Sequence, residues 1–199
     1  MKKTIHRALG LLLVAFCMIL TGYAHAGPDK KSVMVDFSAK ETPLTWQTVN
    51  DDVMGGISTS RFAVVEGVGQ FRGALSLENS GGFASVRSTG PIPVLPGCEA
   101  LVVRVKGDGR KYQLRVRTKT GGRADYRAEF QTKKDEWQEH RLSLKNFVPT
   151  WRGETLTDVP PLDPATIESI GFLLGDKTAG SFALDIQWVQ ASAEAAKKE

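Results

Sequence analysis

The sequence predicts an all-β fold, an antiparallel β-sandwich or jelly roll built as a single domain. Three observations lead to this prediction. Apolar and polar residues alternate along most of the chain after residue 30, which is the period of a β-strand. About ten such segments are short and are separated by Gly, Pro, Asn or Asp, residues that form turns. No segment keeps the 3.6-residue period long enough for a major helix.

The N-terminal segment, residues 1–26, has the pattern of a secretory signal peptide. Basic residues at its start precede an uninterrupted apolar run from Ala8 to Ile19, and Ala24-His25-Ala26 forms a small-x-small cleavage site. The run is shorter than the roughly 20 residues that a spanning helix needs, so an uncleaved anchor is the weaker alternative. No later segment is apolar enough to cross a membrane. We therefore expect a periplasmic or secreted protein with no membrane span after cleavage.

The charge balance argues against nucleic acid as a partner. The full chain carries 26 Lys and Arg residues against 22 Asp and Glu residues, a formal net charge of +4. Three of the basic residues, Lys2, Lys3 and Arg7, belong to the predicted signal peptide, which leaves +1 for the mature chain. A chain so close to neutral lacks the long-range field that attracts nucleic acid.

The first strands of the mature chain alternate clearly, so that each has one apolar side for a core. They are SVMVDF (32–37), RFAVVE (61–66), GQFRGALSLEN (69–79) and GFASVRS (82–88). A turn-forming stretch, residues 46–56, separates the first two of these strands.

The most regular segment, residues 99–120, predicts a β-hairpin. Alternate residues are apolar on both sides of Gly107-Asp108-Gly109, whose glycines supply the positive φ that such a turn requires. The outward residues of both predicted strands are mostly basic, and the strand at 125–132 adds acidic ones. This face is either a solvated surface with cross-strand ion pairs or a binding face for an acidic partner or an acidic glycan.

The last strands are predicted at 125–132, 136–144, 168–175 and 181–190. The domain then covers residues 27–190, and the small, charged residues 191–199 are predicted to form a flexible tail.

One connection, residues 146–166, is unusually long and holds four prolines. Loops of more than about 12–15 residues in a compact domain are often functional. The alternative is a rigid, proline-rich cover over a sheet edge. The sequence predicts one helical turn, from Pro164 to Ile167 with Asp163 as its cap.

Metal and nucleophile chemistry lack the residues they need. Cys98 is the only cysteine of the predicted mature chain, and His140 is its only histidine. One of each cannot form a Cys/His zinc site, and Cys98 has no intramolecular disulfide partner. His140 alternates within a predicted strand, which favours a surface histidine over a catalytic base. A Gly-rich phosphate loop is absent too, so the sequence predicts no cofactor.

The stretch WQTVNDDVMGG, residues 46–56, is the strongest candidate site. Asn50, Asp51 and Asp52 favour a turn, and Gly55 and Gly56 permit conformations that other residues avoid. A first hypothesis is an ordinary turn. A second is a calcium site, which would need further oxygen ligands from other loops. A third is an ion pair from Asp51 or Asp52 to an arginine of another strand, with Arg87 as the best candidate.

The adjacent carboxylates also suggest a further hypothesis, glycoside hydrolysis. That reaction needs two carboxyl groups that face each other across a sugar. Adjacent residues of an extended strand point to opposite faces, so Asp51 and Asp52 form a poor catalytic pair. The sequence therefore favours a protein that is not an enzyme, with a carboxylate hydrolase as the alternative.

The four tryptophans differ in their setting. Trp46, Trp137 and Trp188 lie in strand-like runs and are predicted to belong to the core. Trp151 lies in the proline-rich connection. An exposed tryptophan stacks on sugars or anchors protein interfaces, so Trp151 is the leading single candidate for a binding hot spot.

Taken in order, these motifs resemble the complex I intermediate-associated protein 30 family. The resemblance covers roughly Val35 to Val189 and is carried by two specific runs together, WQTVNDDVMGGIS and GGFASVR. Weaker matches follow, namely GDGRKYQLRVRT, YRAEF, the F-x-P-x-x-R-G run from Phe147 to Gly153, and SIGFLL. The resemblance implies a galactose-binding-domain-like jelly roll and a non-enzymatic role, because mitochondrial members are assembly chaperones for respiratory complex I.

These observations lead to one expected function and one alternative. We expect an exported binding module that assists assembly of an envelope or membrane complex through a protein partner. The alternative is a carbohydrate-binding module. The expected recognition surface is a rim formed by residues 50–56, Arg87 and the Trp151-Arg152 loop. The candidate binding residues are Asn50, Asp51, Asp52, Gly55, Gly56, Arg87, Asp108, Arg110, Trp151 and Arg152.

Overall fold

The computed structural model describes residues 32–39, 44–93 and 97–193. These residues form thirteen β-strands and four short 3₁₀ helices, with no α-helix among them. The strands make two antiparallel sheets packed face to face, so the predicted β-sandwich is confirmed. The predicted signal peptide lies outside the described residues. Strand β13 continues to Ser192, two residues into the segment predicted as a tail.

The first sheet has six strands, in the spatial order β3-β4-β13-β6-β9, with β1 paired to β13. Its strands are β1 (Ser32–Asp36), β3 (Thr59–Val65), β4 (Val68–Leu75), β6 (Ala100–Gly107), β9 (Trp137–Ser143) and β13 (Gly180–Ser192). The long β13 is the centre of this sheet, because β4, β6 and β1 all pair with it.

The second sheet has seven strands, in the order β11-β10-β8-β7-β12-β5-β2. Its strands are β2 (Thr45–Asn50), β5 (Ala84–Thr89), β7 (Lys111–Thr118), β8 (Asp125–Gln131), β10 (Val148–Trp151), β11 (Glu154–Thr155) and β12 (Ile167–Leu174). Strand β10 pairs with residues 125–127 of β8 on one side and with the edge strand β11 on the other.

The core fills the space between the sheets with the inward residues of alternating strands. Its largest fully buried side chains include Phe71 from the first sheet and Tyr112, Tyr126 and Phe172 from the second. Trp46 packs at the margin of this core, with its ring 5.0 Å from that of Phe62. Trp137 does not belong to the core, contrary to the prediction, because its side chain lies on the outer face of β9.

The segment predicted as a hairpin, residues 99–120, instead passes from one sheet to the other. Strand β6 pairs with β13 and β9, whereas β7 pairs with β12 and β8. The turn between them is therefore a corner of the sandwich. The outward residues of β6 and β7 lie on opposite sides of the molecule, so the single basic face expected from the sequence is two separate faces.

The connection predicted at 146–166 contains structure of its own. Strands β10 and β11 form a hairpin in which Trp151 pairs with Glu154. The two residues between them, Arg152 and Gly153, both have positive φ, as the tightest hairpin turns require. The predicted helical turn is present as a 3₁₀ helix (Pro164–Thr166), and the Asp163 carboxylate accepts a hydrogen bond from Ala165 N.

The described residues contain no helix that is both long and apolar enough to cross a membrane.

Candidate functional site

The Asp51 carboxylate is the centre of the loop that follows β2. Its side chain is fully buried at the start of a 3₁₀ helix (Asp51–Met54). Oδ1 accepts a hydrogen bond from Ser58 N at 2.9 Å, and Oδ2 accepts one from Ser58 Oγ at 2.5 Å. Oδ2 also accepts from Gly82 N at 2.7 Å and from Phe83 N at 3.3 Å. One side chain therefore joins the β2–β3 connection to the β4–β5 connection.

The glycines around Asp51 are required by its packing. A Cβ atom added to Gly56 would overlap the Asp51 carboxylate, and one added to Gly81 would lie 2.6 Å from Asp51 Oδ2. Gly55 has a φ of 92° and closes the 3₁₀ helix. The runs NDDVMGG and GGFASVR, which are distant in sequence, are thus two halves of one structural unit. We call residues 50–58 the signature loop.

The protonation of Asp51 follows from these contacts. Burial by itself raises the pKa of the carboxyl group, because it disfavours the charged form. The hydrogen bonds from Ser58, Gly82 and Phe83 favour the carboxylate and bring the pKa below its ordinary value. Asp51 is consequently a buried anion that is stabilised by donors rather than by a cation.

The expected ion pair between the signature loop and Arg87 is wrong. Arg87 Nη2 lies 3.2 Å from Asp125 Oδ2, and Asp51 is occupied by hydroxyl and backbone donors. Asp52 is exposed on the signature loop, and Asn50 Oδ1 accepts a hydrogen bond from Ser60 Oγ at 2.6 Å. The partners of Asp51 could not be predicted from side-chain charge, because three of its four donors are backbone N–H groups, those of Ser58, Gly82 and Phe83.

Apolar side chains project from the same loop, and the sequence reasoning missed them. Val53 is 67% exposed, Met54 58% and Ile57 50%. Leu77, 46% exposed, follows Ser76, whose N–H donates to Ser58 Oγ at 2.9 Å. We call these four residues the apolar tip. The clue in the sequence was the pair Val53-Met54 inside an otherwise polar turn, where a simple turn would have small or charged residues.

Asp108 and Arg110 hold the corner between β6 and β7. Asp108 accepts hydrogen bonds from Ala183 N at 2.9 Å and from the Tyr112 hydroxyl at 3.1 Å. Arg110 pairs with Asp176 at 2.6 Å, which raises the pKa of the guanidinium above its ordinary value. Both predicted site residues are thus engaged inside the protein, and they fix the β12–β13 connection to the corner.

Trp151 and Arg152 lie far from the signature loop, so the expected common rim is wrong. Asn50 ends β2 at one edge of the seven-stranded sheet, and Trp151 ends β10 near the other edge. Five strand spacings of about 4.8 Å separate β2 from β10, or about 24 Å. Trp151 is half-buried, and the Arg152 guanidinium lies 5.6 Å from its ring centroid. Arg87 lies on the outer face between them.

Arg87 belongs instead to a group of arginines around Asp125. Arg115 Nη2 lies 3.3 Å from Asp125 Oδ2, and Arg117 Nε lies 2.7 Å from Oδ1. Burial raises the pKa of Asp125, but the hydrogen bond from Arg117 and the charges of the three guanidinium groups lower it further than burial raises it. The sequence had indicated basic residues on β7 but not their convergence on one carboxylate.

The geometry offers little for catalysis or metal binding. Asp51 is buried and cannot face Asp52 across a cleft, which removes the main support for a carboxylate hydrolase. His140 is half-buried rather than on the surface, and its ring lies 5.1 Å from that of Phe130. Within the described ranges, no group of three or more His, Cys, Asp or Glu side chains is placed to hold a metal ion.

Comparison with known sequences gives a family match. The sequence model of the family described as Complex I intermediate-associated protein 30 (CIA30) matches residues 35–186. The chain is also 30% identical over 102 residues to Complex I intermediate-associated protein 30, mitochondrial, from Mus musculus. That alignment covers 45% of this chain and 29% of the mouse protein, so this chain matches less than a third of its relative's length.

Comparison with solved structures finds sandwiches of the same architecture. The family 11 carbohydrate-binding module of the cellulase Lic26A-Cel5E of Clostridium thermocellum superposes with a TM-score of 0.58 at 13% identity, over 84% of this chain and 98% of the module. The agarase AgWH50C has a TM-score of 0.57 at 13% identity, over 83% of this chain and 25% of the enzyme. A family 11 module from C. thermocellum in complex with a β-1,3-1,4-mixed-linked tetrasaccharide has a TM-score of 0.56 at 12% identity, over 81% of this chain and 95% of the module. At these identities the likeness concerns the fold.

Proposed function

The chain belongs to the complex I intermediate-associated protein 30 family, and on that basis we propose that it is an exported, non-catalytic binding module that assists the assembly of a protein complex. The family is one of assembly factors, which act by binding proteins. The proposed location is the periplasm or the exterior of the cell, and the proposed client is a protein of the cell envelope. The predicted signal peptide is the basis for this location.

The observation that supports protein binding best is the apolar tip. Val53 and Met54 are more exposed than any other large hydrophobic residues of the described chain. They lie on a loop that is held by the buried Asp51 carboxylate. Because the loop is already ordered, binding a partner costs little additional conformational entropy. Exposed apolar side chains grouped on a rigid loop are typical of a protein interaction site.

The test is affinity capture from an envelope extract. The bait would be the mature chain as wild type, as a Val53→Ser/Met54→Ser variant, or as a Val64→Ser/Val65→Ser control. Val64 and Val65 are 51% and 44% exposed on β3, so the control removes similar exposed apolar surface elsewhere. Each bait would first be shown to be folded by circular dichroism. Asp51 variants are unsuitable baits, since they would disturb the fold itself.

We expect a protein that the wild type and the control capture and that the tip variant loses. Equal capture by all three baits would contradict a role for the apolar tip. Failure of the wild type to capture any protein would contradict the proposed function.

A second candidate function is carbohydrate binding, and one residue favours it. Trp137 is 37% exposed on the outer face of the six-stranded sheet. Lys106 Nζ lies 5.5 Å and Arg104 Cζ 5.7 Å from the centroid of its ring. An exposed indole is a common stacking surface for sugars. Saturable binding of a glycan that is lost in Trp137→Ala, measured by tryptophan fluorescence and calorimetry, would favour this function over the first.

A further inference from the structure

Positive charge is concentrated on the outer face of the seven-stranded sheet. Arg87 of β5, Arg115 of β7 and Arg127 of β8 lie in one row across the strands, with Gly171 of β12 between Arg87 and Arg115. Arg117 lies two residues further along β7. At about 4.8 Å between strands, the row from β5 to β8 extends for about 14 Å. We call these four arginines the arginine cluster.

The cluster is not neutralised by its own neighbours. Arg87, Arg115 and Arg117 share the single carboxylate of Asp125. Arg127 lies 3.4 Å from Glu129, which also pairs with Lys111 at 3.5 Å. Five cationic side chains therefore contact two carboxylates, which leaves an excess of three positive charges within this group of ion pairs.

Holding these guanidinium groups together has a cost that an anion would relieve. The Arg115 side chain is only 13% exposed, and its Nε atom is buried without a hydrogen-bond partner. Burial lowers the pKa of Arg115, and the charges of Arg87 and Arg127 lower it further, while Asp125 acts in the opposite direction. The side chains of Arg87, Arg117 and Arg127 are 28%, 36% and 31% exposed, so their N–H groups can donate to an external carboxylate that offsets the repulsion between the guanidinium groups.

The surface around the cluster can accommodate an extended ligand. A depression of about 300 Å³ is lined by Lys111, Gln113, Arg127, Glu129 and Gly175 to Lys177. A second depression, of about 510 Å³, is lined by residues that include Arg127, Glu129, Arg141 and Val148. The two depressions meet at Arg127 and Glu129. A chain lying across β8 would therefore contact both.

The side chains beside the cluster favour a polypeptide over a sugar. Leu173 of β12 pairs with Gln113, which lies two residues from Arg115 along β7. Val148 of β10 pairs with Arg127. No strand residue that points outward from the described part of this sheet is aromatic. Sugars are usually bound by stacking on aromatic rings, whereas acidic peptides need guanidinium groups and aliphatic contacts.

We propose that this face binds an acidic segment of the partner polypeptide, whose carboxylates pair with the guanidinium groups of the arginine cluster. The inference rests on the proposed function in one respect only, namely that the partner is a protein. The segment binds across the strands, with its acidic side chains on Arg87, Arg117 and Arg127 and its apolar side chains on Leu173 and Val148.

The test uses a fluorescein-labelled decaglutamate peptide and measures fluorescence anisotropy at 50 and 150 mM NaCl. The binding variant is Arg117→Gln/Arg127→Gln. The matched control is Arg61→Gln/Arg104→Gln, which removes the same charge from the six-stranded sheet, where Arg104 is 35% exposed. Thermal melts confirm that each variant is folded. Polygalacturonate serves as the glycan competitor.

We expect the wild type and the control to bind the peptide alike, and the binding variant to bind about tenfold more weakly, the effect of losing two exposed charge pairs. Equal weakening in both variants would show that the peptide is attracted by the overall charge of the protein, which would overturn the proposal. Absence of peptide binding by the wild type would also overturn it. Binding of polygalacturonate with no binding of the peptide would overturn it in favour of an acidic glycan.

The same variants separate this inference from the proposed function. If the wild type captures a protein that Arg117→Gln/Arg127→Gln also captures at full yield, and the peptide does not bind, the inference fails and the proposed function stands. If no protein is captured but peptide binding is lost only in the binding variant, the anionic site stands and the proposed function fails.

Discussion

At the scale of single residues, Asp51 determines how the signature loop is built. Its carboxylate accepts hydrogen bonds from Ser58, Gly82 and Phe83, and it leaves no room for a Cβ at Gly56 or Gly81. Hydrogen bonds to a buried carboxylate are stronger than those between neutral groups. We infer that the loop and the β4–β5 connection form or unfold together.

The first prediction concerns this carboxylate. Asp51→Asn should destabilise the protein by about 2–4 kcal/mol, because the amide nitrogen would face N–H donors in a fully buried site. Urea unfolding followed by circular dichroism measures the change. Asp52→Asn, on the exposed neighbour, should alter stability by less than about 0.5 kcal/mol. Similar losses in both variants would show that the buried contacts do not determine the effect.

The sequence indicated part of this arrangement. Asn50, Asp51 and the two glycines predicted a shaped turn, and that turn is present. The partner of Asp51 could not be predicted, because backbone N–H groups 31 and 32 residues away carry no side-chain signature. Arg87 looked like a suitable partner by charge alone, yet Asp125 on β8 satisfies it.

At the scale of elements, two hairpins turn through a pair of residues with positive φ. Glu66 and Gly67 join β3 to β4, and Arg152 and Gly153 join β10 to β11. Glycine adopts this conformation freely, whereas a glutamate or an arginine adopts it at a cost. Asparagine is the side chain that best tolerates the first position of such a turn.

The second prediction follows from this turn. Glu66→Asn should stabilise the protein by about 0.5–1 kcal/mol, because Asn-Gly matches the positive φ of both residues. The melting temperature and the urea midpoint measure the gain. Glu168→Asn makes the same chemical change at an exposed strand position and should give no gain. A loss of stability in Glu66→Asn would contradict the assignment of strain to this turn.

The positions of the strands could be predicted from the sequence more securely than the pairing between strands. The alternation of β6 and β7 predicted both strands correctly, but it cannot distinguish a hairpin from a corner. Gly107-Asp108-Gly109 suits either. The difference lies in the pairing of β6 with β13 and of β7 with β12, and the Asp108 contact to Ala183 N, 75 residues away, joins the corner to β13.

At the scale of the whole molecule, stability depends on buried carboxylates whose pKa values are low. Burial opposes this at Asp51, Asp125 and Asp176, but hydrogen bonds bring each pKa below the ordinary value of 3.8, and nearby arginines lower it further at Asp125 and Asp176. Such groups bind protons less readily in the folded chain than in the unfolded one. Their contribution is therefore complete above about pH 5 and is lost as the pH falls below the unfolded value.

The third prediction tests this linkage. The urea midpoint of the wild type should fall slightly from pH 7 to about pH 5, because burial lowers the pKa of His140, and should fall more steeply towards pH 3 as the carboxylates are protonated. The difference in stability between the wild type and Asp51→Asn should shrink over the same range, since protonation makes Asp51 resemble the amide. A difference that stays constant down to pH 3 would contradict the low pKa of Asp51.

Overall architecture set the limit of what the sequence could predict about the site. The predicted rim joined residues 50–56, Arg87 and the Trp151-Arg152 loop, three candidates that are distant from one another in the sequence. Strand order places them at different edges of one sheet, and strand order depends on pairings between distant segments. The arginine cluster has the same origin, because β5 meets β7 and β8 only through β12.

The pairing of β1 with β13 has a geometric consequence for how the domain is carried. Ser32 lies opposite Ala191, so both ends of the described domain leave from one place. The signature loop lies near the other end of β13, where Gly180 pairs with Leu75. Thirteen residues at about 3.3 Å each separate the two ends, or about 40 Å. A domain or anchor attached at either end of the described domain would therefore lie at the opposite end of β13 from the apolar tip.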